Sequence, residues 1–123
     1  MGVTCNLTVQ EKSYDISKNT SQVYVKLTAT TTGSSYNNYG PSGTITIDGV
    51  THNYSKNIPK NSTTTLYEDT KTITHNADGT RKLTVSYRFN TDISAGVLTG
   101  SRTITLTNIP RASSVTCADG NIR

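Results

Sequence analysis

His75-Asn76-Ala77-Asp78-Gly79-Thr80-Arg81-Lys82-Leu83-Thr84-Val85-Ser86-Tyr87-Arg88-Phe89 joins a tight turn to the most regular alternating run of the chain. Leu83, Val85, Tyr87 and Phe89 point one way and Lys82, Thr84, Ser86 and Arg88 the other, because successive side chains leave a strand on opposite sides. One side is therefore core and the other is water, as in a half-buried antiparallel strand. Asp78-Gly79 tolerates the positive φ that a tight turn demands, so local chemistry is expected to set the register of the strand that follows. Nothing in this stretch is chemically reactive; it is a signal for a scaffold.

The same two-residue period recurs on either side. Val3, Cys5, Leu7 and Val9 alternate with Thr4, Asn6, Thr8 and Gln10, which predicts a first strand, and the pattern then breaks. Residues 11–20 read as a short edge segment leading into a turn. Residues 21–31 form a second strong strand, with Val23, Val25, Leu27 and Ala29 inward. A loop rich in Gly, Ser and Asn follows at 33–42, carrying Tyr36 and Tyr39. Residues 44–54 read as a hairpin on Asp48-Gly49, which sets Ile47 against Val50 and Ile45 against His52 on one face. Two further strands are expected at 62–67 and 69–74, and a last one at 98–108, ended by Pro110. The whole predicts an all-β, immunoglobulin-like Greek-key β-sandwich of about seven to eight antiparallel strands. Residues 1–109 form the sandwich in this reading, and 110–123 a linker or tail.

Composition agrees. A chain of 123 residues suits one domain with a core of its own. Thr, Ser, Asn, Tyr and Val dominate over helix-formers. An apolar content of 32% is enough when only every second strand residue must be buried. The net charge of +4 is mild, and its cations are neither clustered nor interleaved with aromatic platforms, so no nucleic-acid partner is expected. No apolar run is long enough for a signal peptide or a membrane span, and no membrane partner is expected. Cys5 and Cys117 lack the spacing of a metal clip or an inter-sheet bridge and are read as free thiols.

A search for catalytic groups by type is unrewarding. The carboxylates are scattered, the two histidines sit on a strand and a turn, and no nucleophile-elbow, zinc or phosphate-loop spacing occurs. The expectation is a protein that is not an enzyme and carries no cofactor. Asp78 and Glu68-Asp69 are the only carboxylates worth weighing for Ca²⁺, and an Asp-Gly turn is ordinarily a turn. His52 reads as a satisfied, partly covered ring. Lys26, Lys82 and Arg88 fall on polar faces, which disfavours an internal isopeptide clamp. Tyr36 and Tyr39 remain as candidate ligand contacts, since a phenol pairs a broad apolar face with a hydrogen-bonding tip that suits a sugar or a protein partner.

Four stretches carry a likeness to a known group: residues 11–21 (Glu-Lys-Ser-Tyr-Asp-Ile-Ser-Lys-Asn-Thr-Ser), 75–80 (His-Asn-Ala-Asp-Gly-Thr), 92–96 (Asp-Ile-Ser-Ala-Gly) and 106–113 (Leu-Thr-Asn-Ile-Pro-Arg-Ala-Ser). Together they resemble the immunoglobulin-like domains in minor structural (tail or baseplate-associated) proteins of siphophages and prophages from Gram-positive hosts, a family of unknown function. The resemblance implies a structural or spacer domain of a virion tail protein, made in the bacterial host cytoplasm. Its implied partners are neighbouring domains or subunits of the tail assembly. Two rivals stand beside it: a cell-wall polysaccharide-binding module that aids host adsorption, and a bacterial surface adhesin repeat.

Overall fold

The computed structural model describes residues 2–32, 41–92 and 95–111. Seven strands run in order: β1 (Gly2–Asp15), β2 (Thr20–Thr32), β3 (Ser42–Ile47), β4 (Val50–Ser55), β5 (Thr63–Thr74), β6 (Lys82–Asn90) and β7 (Val97–Thr105). They form two sheets, ordered β1-β2-β5 and β4-β3-β6-β7, with every pairing antiparallel. Among the described residues there is no helix. The protein is thus the all-β sandwich that the alternation predicts.

The core is the inward row of each sheet. Val23, Val25, Leu27 and Ala29 on β2 have no exposed surface, and neither do Ile45, Leu83, Val85 and Phe89 across from them. Burying such side chains contributes about 1.5–3 kcal/mol each, which is the main force holding the sheets together. One margin is closed where β4 meets β5, with the rings of His52 and Tyr67 5.5 Å apart; β1 approaches β7 at the other. Two close approaches depend on glycine. Tyr87, in the inward row, lies over Gly100, where a Cβ would stand 2.6 Å from its ring. Tyr54 donates its hydroxyl hydrogen to Arg88 O across Gly43, where a Cβ would meet that same carbonyl at 2.2 Å.

The hairpin at Asp48-Gly49 has the expected register, Ile47 against Val50 and Ile45 against His52, with φ of 52° and 79° at the two turn residues. Val50 nevertheless stays 57% exposed at the rim.

Two expectations need correction. Residues 11–15 continue β1 rather than forming a separate segment, because Lys12 is an extra residue between the pairs Glu11–Val23 and Ser13–Gln22. The two strands expected at 62–67 and 69–74 are one strand, β5, in which Leu66 is the extra residue opposite Leu27–Thr28. A bulge inverts the two-residue period, so a continuous strand looks like two short ones in sequence. The 75–81 segment carries the chain from β5 to β6 in the opposite sheet.

The direction of each strand sets the shape. Gly2, Thr32, Ser55, Thr63, Asn90 and Val97 lie at a first end. The turns after β1, β3 and β5 lie at the second end, together with Thr105 and the residues after it. The backbone is therefore met at Gly2 on one end and at Arg111 on the other.

Candidate functional site

The second end holds a buried polar cluster that joins distant parts of the described chain. It begins with His75, 5% exposed, placed there because β5 stops at Thr74 and the chain turns toward the other sheet. Its Nδ1 lies 2.8 Å from Gly79 O, and its Nε2 2.6 Å from the Oγ of Ser21, which is wholly buried at the start of β2. Ser21 Oγ also donates to Glu11 Oε2 at 2.6 Å. The other carboxylate oxygen accepts from Thr107 N at 2.9 Å and Thr107 Oγ1 at 2.8 Å. Burial pushes the Glu11 carboxyl up, but the donors Ser21 and Thr107 more than offset it and leave Glu11 below its ordinary value.

Backbone bonds tie the same pieces together. His75 N donates to Asn19 O at 2.8 Å, Leu106 N to Arg81 O at 2.9 Å and Ile109 N to Gly79 O at 3.0 Å. Asn19, at φ 57°, sends its side-chain amide to His75 O and Asn76 O at 3.2 and 2.8 Å. Arg111 donates from Nη1 to Ile16 O at 2.8 Å. Three of the four stretches that carry the resemblance, 11–21, 75–80 and the described part of 106–113, thus meet at one place.

Chemically this cluster is a latch. A serine–histidine pair at 2.6 Å has the spacing of an activated nucleophile. However, the carboxylate sits on the serine, where a catalytic triad needs it on the imidazole, and the imidazole's other nitrogen is spent on a backbone carbonyl. The hydroxyl has no exposed surface for a substrate to reach. The sequence offered only a histidine at the head of an Asp-Gly turn, and a turn residue is what it suggested. No local spacing links Glu11, Ser21, His75 and Thr107; the convergence of the resembling stretches was the available clue.

The other candidates fare as follows. Tyr36, Tyr39 and Cys117 lie outside the described residues. Cys5 is a free thiol on the inward row of β1, pushed up to about 11 by burial. Asp78 accepts from Thr80 N at 3.0 Å and Thr80 Oγ1 at 2.6 Å, so its carboxylate caps its own turn. Glu68 accepts from the Tyr24 hydroxyl, and Asp69 pairs with Lys71 at 2.9 Å. Among the described residues no three His, Cys, Asp or Glu side chains are grouped to hold a metal ion. An open hollow of about 790 Å³ lies beside the β1–β2 turn, lined by Tyr14, Asp15, Ile16, Lys18, Gln22 and Thr72 among others. Its polar groups are largely committed: Asp15 accepts from Ser17 and from Lys18 N, and Gln22 and Thr72 exchange hydrogen bonds.

A family model described as siphovirus protein of unknown function (DUF859) matches residues 1–123. No curated protein matches, and no solved structure does.

Proposed function

The chain belongs to this siphovirus protein family, and from that we propose that it is a non-enzymatic structural module of a phage or prophage tail protein, a spacer that holds its neighbours apart. The observation that carries the reading is the placement of Gly2 and Arg111 at opposite ends of the sandwich. A module traversed from end to end transmits position along the strand axis. The outer faces support it. Thr46 and Thr51, and Thr84 and Thr103, pair hydroxyl to hydroxyl at 3.0 and 2.9 Å, giving a solvated surface. The three-and-four division of the strands supports the immunoglobulin-like reading. Immunogold labelling of intact particles with an antibody to this domain tests it: label along or at the tip of the tail is expected, and particles that never label sink the reading.

A second reading, a module for cell-wall polysaccharide, draws on Tyr14, 48% exposed beside the hollow at the β1–β2 turn. Retention on host envelopes that is lost in Tyr14→Ala, or in Tyr36→Ala with Tyr39→Ala, would favour it over the spacer. Equal retention of variants and parent, or none at all, removes it.

A further inference from the structure

The latch contains too few hydrogens for its acceptors. Gly79 O accepts, so His75 Nδ1 must carry a hydrogen, and in a neutral imidazole Nε2 would then be an acceptor. Ser21 Oγ, 2.6 Å from Nε2 and 2.6 Å from Glu11 Oε2, has a single hydrogen to give. An ionised Glu11 and a neutral His75 would both need it. Glu11 already receives Thr107 N and Thr107 Oγ1, donors that favour its charged form. The count closes when Nε2 brings its own hydrogen: the ring then donates to Gly79 O and Ser21 Oγ, and Ser21 donates to Glu11.

We infer that Glu11, Ser21 and His75 share one proton more than a carboxylate and a neutral imidazole carry, and that this proton latches the second end of the sandwich. The charge of the ring is balanced by Glu11 through one hydroxyl. Several other charged groups at this end are engaged elsewhere. Asp78 caps Thr80, Arg81 binds Thr74 O and Asp48, Asp15 binds Ser17 and Lys18 N, and Arg111 binds Ile16 O. Release of the proton to solvent sets two lone pairs against each other inside a buried contact, which weakens the hold of the 75–80 turn on Asn19 and Ile109.

Two measurements on the unmodified protein decide it. Long-range ¹H–¹⁵N spectra at about pH 7 should show both His75 ring nitrogens bearing hydrogen. Amide hydrogen-exchange protection of Thr107 and Ile109 should drop on the alkaline side, with the midpoint at which that second hydrogen leaves. Ser21→Ala, which breaks the relay, should abolish the coincidence if it folds; the parent spectra stand if it does not. A bare, pyridine-type nitrogen on His75 in the folded protein at about pH 7 overturns the inference. So does protection that stays level while the second hydrogen is lost.

Discussion

Gly49 and Gly79 follow aspartate in the same dipeptide and both adopt positive φ, 79° and 88°, yet they do different things. A Cβ at Gly49 would meet nothing within 4 Å, whereas at Gly79 it would lie 1.8 Å from Ile109 O. Gly49→Ala should therefore cost only the left-handed backbone, about 1 kcal/mol. Gly79→Ala must also part the turn from Ile109, and the expected loss in urea denaturation is about 3 kcal/mol or more. Glu11 supplies the acid counterpart of the latch. Because its carboxyl lies below the ordinary 4.5, its stabilisation is present above that value and is lost as pH falls through the depressed one. Denaturation midpoints measured on acidification should fall for the parent and fall less steeply for Glu11→Gln.

Strands show how the edges are kept from pairing with other copies. Arg102 on β7 is opposite Val85, so it occupies the inward row of an edge strand yet remains exposed. On β5, Asp69 and Lys71 hold the same kind of position opposite Val25 and Val23. On β1, the bulge at Lys12 interrupts the ladder. An inward-pointing charge or a bulge spoils the flat, apolar edge that another chain would extend. Arg102→Val should accordingly produce concentration-dependent association in sedimentation velocity, with Arg102→Lys remaining like the parent. These bulges also mark the limit of what could be read from the amino acids. The clean alternation of β2 and β6 was legible because each apolar residue sits in register with a partner. The single extra residues Lys12 and Leu66 were not, because only the opposing strand reveals that a residue is supernumerary.

For the molecule as a whole, the two-sheet sandwich was readable from the period of two, but the site was not. Its members come from positions 11, 21, 75, 79 and 107, and what unites them is the crossing of the chain between sheets. A hydrogen-bond relay has no sequence period. The described residues form seven strands, an odd count, and in an all-antiparallel fold that parity has a consequence. An even-stranded sandwich returns the backbone to where it started, so copies joined in series double back. An odd one advances by a sandwich length each time, roughly 40 Å for strands as long as the 13-residue β2. Duplicating such a unit in a gene would lengthen its product by a constant increment and leave its heading unchanged.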